Sequence, residues 1–254
     1  QADIKTISAL GGYAATAITA ITVQNTLGVQ AVHPVPAELV GEQMQAVMED
    51  LRPDAIKIGM TGNVEIISEI ARLLHQYSPR QVVLDPVMVS TSGHNLMTDE
   101  AVEAICTLLL PEVSLVTPNL HEAAVLLQQP IHTVDDMEYA AHLVYEKYHC
   151  ACLVKGGHLT GNEMCDVLYD GHELHLFGAR RIHSGNLHGT GCTLSSAIAT
   201  FLAQGFPLYE AVELAKTYIT KAIEAGKDLH IGQGNGPLCH FPYLVNPVNP
   251  LTEE

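Results

Sequence analysis

At 254 residues with 47% apolar content, the chain is long enough to bury a large core, and α/β folds of this size commonly form one domain; one domain over 1–254 is the expectation. A formal net charge of −16 excludes a binder of nucleic-acid backbone, whose affinity comes from clustered Lys and Arg. No uninterrupted run of about eighteen apolar residues marks a membrane span, and the start lacks the order of a signal peptide, so a cytoplasmic protein with no membrane partner is expected. Six scattered cysteines in a chain this large point to reduced thiols. The fourteen histidines form no His-Glu-x-x-His, and no Cys-x-x-Cys pair accompanies them, so nothing marks a transition-metal site.

Taken in order, short β-branched runs alternate with helical periodicity, the pattern of βαβ units and a mainly parallel sheet. A helix is predicted over 2–10, a strand over 14–23 and a helix over 34–51. Strand 55–58, helix 64–76 and strand 81–85 follow. Thr98 caps the next helix, 114–117 is a short strand, and helices span 119–127 and 134–148, with Thr133 and Asp136 forming a capping box. After strand 150–154 the period changes to short strands at 165–169, 174–177 and 180–183, a meander, and two long helices close the core. The tail after Gly236, rich in Pro and Asn, reads as irregular. The chain opens on Gln1 directly into a helix, where a doubly wound sheet would carry a preceding strand.

The stretch with the clearest chemistry is Asn186-Leu-His-Gly-Thr-Gly-Cys192-Thr193, which runs into an apolar helix. Glycines at a helix start present unpaired N–H groups to an anion. A thiol there feels the positive end of the helix dipole, which favours the thiolate and suits a base or nucleophile. Alone, the motif fits equally a glycine-punctuated turn before a core helix. In open α/β sheets ligands sit beyond the C-terminal ends of the strands, so polar residues there are the ones to collect. They are Gln24 and Asn25, the run 57–60, the run 85–88, the run 117–122, and Lys155-Gly-Gly-His158.

The segments QADIKT, ITAITVQNT, KIGM, VVLDPVM, TPNLHEA, VKGGH and HGTGCT, in this order along essentially the whole chain, closely resemble the ribokinase superfamily, in particular its hydroxymethylpyrimidine and phosphomethylpyrimidine kinase branch. The resemblance implies a three-layer αβα fold with a mainly parallel central sheet. It also implies a thiamine-biosynthetic kinase, often dimeric, that uses ATP and Mg²⁺ to phosphorylate 4-amino-5-hydroxymethyl-2-methylpyrimidine and then its monophosphate. By that likeness Gly189, Thr190, Gly191 and Cys192 form the anion hole for the moving phosphoryl group, with Cys192 as base where most of the superfamily carries Asp. Asn119 and Glu122 match the pair that organises Mg²⁺, with Glu122 as the ligand; Lys155 and Asp85 match positions near the phosphates. Asp3, Gln24, Met60 and Val87, with Cys192, match the acceptor site.

Each residue also has a plain structural reading. Glu122 fits a first-turn acid favoured by the helix dipole, Asp85 a turn residue, Lys155 a solvated strand end, Gln24 a strand cap, Met60 and Val87 core, and Asp3 a dipole partner. The run 232–237 either flanks the nucleotide or closes the fold. The branch carries a strand and a Gly/Ser-rich loop of the type AGSDSGGGAG ahead of QAD, which this sequence does not include. It also often has AKSGD where 90–94 reads Ser-Thr-Ser-Gly-His. A pyridoxal kinase of the same fold and a non-catalytic ligand-binding relative are the alternatives, and a Cys192–His188 hydrolase the rival from another class. Gln24 favours the pyrimidine, because its amide matches an amino group that pyridoxal lacks.

Overall fold

The computed structural model describes residues 1–88, 97–157 and 163–244. The expectations placed on 90–94, on His158 and on the end of the tail lie outside the described residues.

Helix α1 (Ala2–Ala9) leads, after an irregular stretch, into an antiparallel hairpin of β1 (Ala20–Asn25) and β2 (Gly28–Pro34). Helix α2 (Ala37–Asp50), β3 (Ile56–Ile58), α3 (Val64–Tyr77) and β4 (Val82–Leu84) come next. Helix α4 (Asp99–Ala104) runs into a π turn (Ile105–Leu109), followed by β5 (Leu115–Val116), α5 (Leu120–Leu127), α6 (Val134–Tyr148) and β6 (Ala151–Val154). Strands β7 (Glu163–Tyr169) and β8 (Leu174–Arg180) precede α7 (Thr190–Ala203) and α8 (Leu208–Gly226).

The central sheet has the order β3-β4-β5-β6-β7-β8, parallel from β3 to β6 and antiparallel at β7 and β8. Strand side chains alternate between faces, and here the two faces have separate cores. Val82, Leu84, Val116, Cys152 and Val154 pack on the face covered by α3, α5 and α6. Val83, Leu115, Ala151 and Leu153 pack on the face covered by α7 and α8. This is the expected three-layer αβα arrangement. Asn63, Thr98, Asn119 and Thr133 each accept a bond from a first-turn amide, satisfying orphan donors at four helix starts. All six cysteines are free thiols, and no described helix is long and apolar enough to cross a membrane.

Three local expectations are corrected. The predicted strand over 14–23 begins only at Ala20, because residues 13–19 are irregular, and its partner β2 occupies residues given no element between that strand and the helix predicted from 34. Helix α2 starts after Pro36, whose extended backbone (ψ 135°) cannot belong to it. The meander is one long hairpin: Gly178 pairs with Cys165 inside β8 rather than dividing two strands, and 181–183 form no strand.

His240 shows how the tail seals the α7–α8 layer. Its ring lies 3.2 Å from Thr193 Oγ1, and its carbonyl accepts from Tyr218 Oη at 2.6 Å. Burial, with Lys5 nearby, holds its pKa down to about 4, against an unfolded value of about 6.5. The unfolded chain therefore binds the extra proton between those values, and the stabilisation, complete above about pH 6.5, is lost as pH falls toward about 4. His240→Gln, which keeps an acceptor for Thr193, is expected to lose about 2 kcal/mol less than the natural protein between pH 7 and pH 4.5 in urea titrations. Parallel losses in both proteins would contradict this.

Candidate active site

The C-terminal ends of β3 to β6 open into a cleft of about 2070 Å³ that extends along β3, under the β1–β2 hairpin and past the start of α7. Every residue predicted for the site lines it: Asp3, Gln24, Met60, Asp85, Val87, Asn119, Glu122, Lys155, Gly189, Thr190, Gly191 and Cys192.

At its centre lies a buried charge cluster. Asp85 follows β4, where Pro86 has no N–H to continue the ladder, and it is 2% exposed. Lys155, at the end of β6, donates to its Oδ1 at 2.6 Å and lies 4.0 Å from Glu122 Oε2. Thr117 donates to the same Asp85 oxygen at 3.3 Å. Asn119 and Glu122 form a reciprocal capping box at the start of α5: the Asn119 amide donates to Glu122 Oε2 at 2.8 Å, and the Glu122 amide to Asn119 Oδ1 at 3.0 Å. Glu122 is 5% exposed, so the reading of a solvated first-turn acid does not hold. Burial raises its pKa to about 7, with Asp85 adding to the rise, while Lys155 and the backbone amides of Asn119 and Met88 oppose it. Burial disfavours the Lys155 ammonium, but Asp85 and Glu122 more than offset this and keep it charged.

The glycine turn sits directly over this cluster. Gly189 caps α7 with φ +85°, a left-handed conformation that a side chain would strain. The first helical bond of α7 runs from Thr193 to the Gly189 carbonyl, so the Gly191 and Cys192 amides precede it and point out of the helix end. A Cβ placed on Gly191 would lie 3.4 Å from both Asp85 Oδ2 and Lys155 Nζ. The turn thus brings helix-end donors and a lysine to one point, which is what binding a multiply charged phosphate requires.

Cys192 corrects one expectation. The helix start alone favours the thiolate, but burial pushes this thiol up; Lys57 and Lys155 oppose the rise while Asp85 and Asp3 add to it. Beside β3, Asp3 Oδ1 accepts from Lys57 Nζ at 2.8 Å and from Ser196 Oγ at 2.7 Å. Burial opposes ionisation of Asp3, but Lys57 and Ser196 outweigh it, and its pKa is lowered. Met60 offers its carbonyl to Thr19 at 2.6 Å. Gln24 reaches across from the hairpin, its Nε2 3.1 Å from His188 Nε2.

The hairpin and the run 232–236 form one wall. Thr26 Oγ1 accepts from the amides of Gln233 and Gly234, each at 3.2 Å. A Cβ on Gly234 would fall 2.1 Å from the Thr26 carbonyl oxygen. At its other end the run meets the glycine turn, where the His188 amide donates to the Gly236 carbonyl at 3.2 Å. Asn186 anchors that junction by donating to the Gly226 and Leu229 carbonyls, both at 2.7 Å. The run thus borders the cleft, with Ile231, Asn235 and Pro237 among its lining residues.

Four residues tied to the cleft were not selected from sequence as site residues. Lys57 stood only among the strand-end residues, Ser196 lies one helical turn after Cys192 and was findable by that spacing, and the Asp166–Lys216 pair (2.5 Å) spans 50 positions that no local pattern links. Asp166 also accepts from the Gly156 amide at 2.8 Å, fixing the backbone just after Lys155.

The model of a known family, described as phosphomethylpyrimidine kinase, matches residues 1–239. The chain belongs to the phosphomethylpyrimidine kinase family. A hydroxymethylpyrimidine/phosphomethylpyrimidine kinase of Rhizobium meliloti (strain 1021) is 52% identical over 243 residues, 95% of this chain and 91% of that protein. A crystal structure of phosphomethylpyrimidine kinase from Clostridium difficile 630 superposes with TM-score 0.79 at 42% identity, covering 87% of this chain and 91% of that one. An ADP complex of Bacillus subtilis pyridoxal kinase superposes with TM-score 0.88 at 33% identity, covering 97% and 93%. The phosphomethylpyrimidine kinase fold is therefore shared with a kinase of a different vitamin, and the choice of acceptor must rest on particular residues.

Proposed function

We propose that this phosphomethylpyrimidine kinase family member transfers phosphate from ATP to the hydroxymethyl oxygen of 4-amino-5-hydroxymethyl-2-methylpyrimidine, and then to the resulting monophosphate, in thiamine biosynthesis. The observation that carries this reading is the stacking of the Gly189–Cys192 turn on the Lys155–Asp85–Glu122 cluster, with Asp3 and Gln24 lining the same cleft. Phosphoryl transfer needs positioning, charge stabilisation and an acceptor for the alcohol proton. The Gly191 and Cys192 amides and Lys155 hold the transferring group, Asp3 orients the hydroxymethyl oxygen, and the Cys192 thiolate takes its proton.

Among the described residues no group of three or more His, Cys, Asp or Glu is arranged to hold a metal ion by itself. A buried carboxylate with Asn119 beside it still suits a hard cation that keeps water and phosphate oxygens as its remaining ligands, and Glu122 is where Mg²⁺ would be held. When bound it neutralises charge on the phosphates. Residues 1–254 act as one domain in a cytoplasmic homodimer whose partners are small molecules, with neither nucleic acid nor membrane among them.

Gln24 favours the pyrimidine over pyridoxal. Its Nε2–H donates to His188, which leaves Oε1 to accept from an exocyclic amino group. Pyridoxal has none. The natural protein is therefore expected to show a higher kcat/KM for the pyrimidine alcohol than for pyridoxal in an ADP-release assay. Gln24→Leu should lower the pyrimidine value by about 10–100-fold and change the pyridoxal value far less. A pyridoxal preference in the natural protein would overturn the acceptor assignment.

A further inference from the structure

Lys57 is a buried cation with no part in the roles above. Its side chain is 4% exposed, in the middle of β3 on the face opposite Ile58, which joins the core. Its ammonium donates to Asp3 Oδ1 at 2.8 Å, and that oxygen also accepts from Ser196 Oγ at 2.7 Å. Ser196 follows Cys192 by four residues on α7 and so shares its helix face. A Cβ on Gly59 would lie 2.6 Å from Lys57 Nζ, so the glycine leaves the space in which the ammonium sits. The chain thus ties a charge on β3, through an acid on α1, to the helix turn below Cys192.

The charged groups facing Cys192 are Asp3 from α1, Lys57 from β3, Asp85 after β4 and Lys155 after β6. Lys155 is committed to Asp85 and Glu122 and, in transfer, to phosphate. Lys57, paired with Asp3, is the cation facing Cys192 that the phosphate roles leave unused. We propose that Lys57 is a positioning residue for the transfer step: pinned by Asp3, it keeps a fixed positive charge beside Cys192 that makes the thiolate accessible without touching either substrate. This rests on the reading of Cys192 as proton acceptor. In the step, the hydroxymethyl O–H bond breaks and its proton goes to the sulfur. The oxygen forms a bond to the γ-phosphorus as the bond from that phosphorus to the ADP oxygen breaks. Lys57 stays protonated throughout.

The electrostatics run the same way. Burial raises the thiol pKa and Lys57 is the leading group opposing it; burial disfavours the Lys57 cation, and Cys192, Asp3 and Asp85 together hold it charged. Removing Lys57 therefore moves the thiol further up. The test is alkylation of Cys192 by iodoacetamide as a function of pH, resolved by peptide mass spectrometry on the whole protein without substrates. Lys57→Met is expected to raise the midpoint by one pH unit or more, an approximately tenfold slower reaction at pH values below both midpoints, with Cys106 and Cys239 unchanged. Lys57→Arg should restore most of the rate. Because Lys57→Met strands Asp3, the comparison is repeated in a neutral background: Asp3→Asn with Lys57→Gln should titrate higher than Asp3→Asn alone. Equal midpoints in either comparison would overturn the proposal. Full turnover by Cys192→Ala would remove the base assignment and leave the alkylation result standing, so the two failures are distinguishable.

Discussion

Alanine in place of Cys192 is expected to lower kcat by a factor of about 10²–10⁴ and to leave the KM for ATP within about threefold. The thiol stands at the helix start, in the same turn whose amides face the charge cluster, and in the proposed reaction it takes the proton of the alcohol. The turn's backbone donors survive the substitution, so nucleotide binding and part of the charge stabilisation remain. That split separates a base from a packing residue: a small buried thiol serving only as core would cost stability, not kcat. Because burial holds this thiol above its ordinary range, the rate of the natural enzyme should climb with pH on the alkaline side, and that limb should flatten in Cys192→Ala. Near-normal turnover in the variant would sink the assignment.

Lys155→Met is expected to cost both activity and stability. Asp85 and Glu122 are both buried, and Lys155 is the cation bonded to the first and within 4.0 Å of the second. Leaving a buried charge unpaired costs on the order of 3–5 kcal/mol. The loss should be largest above pH 7, where Glu122, with its pKa near 7, is ionised, and should shrink as acid protonates it. Loss of Lys155 raises that pKa further, so the folded variant takes up protons that the unfolded chain does not, and lower pH favours it. Asp85→Asn combined with Lys155→Met should recover most of the stability in urea titrations and none of the turnover, since the charge proposed to bind phosphate is still gone. Recovery of activity in the double variant would show that Lys155 serves the fold alone.

Much of the site was readable from the chain because its parts lie at the ends of periodic elements. Asp85, Asn119, Glu122 and Lys155 each follow a strand, and parallel strands bring such positions to one edge. The glycine turn announced itself by composition. Two kinds of information were missing. One was long-range placement: Thr26, at the tip of the hairpin, meets Gln233 and Gly234 more than two hundred residues away, and no local pattern links them. Charge state was the other: helix position alone predicts a more acidic Cys192, and only the burial imposed by the surrounding layers reverses the direction. Lys57 combined both difficulties: it stood among the polar residues at a strand end, but its partners Asp3 and Ser196 come from α1 and α7, far away in sequence.

The product of the reaction tests the central claim most directly. Incubated with ATP, Mg²⁺ and 4-amino-5-hydroxymethyl-2-methylpyrimidine, the protein should yield the monophosphate and then the diphosphate on the hydroxymethyl oxygen, seen by ³¹P NMR and mass, with one ADP formed per phosphate transferred. ADP formed without a phosphorylated pyrimidine, or phosphorylation of pyridoxal in its place, would contradict it.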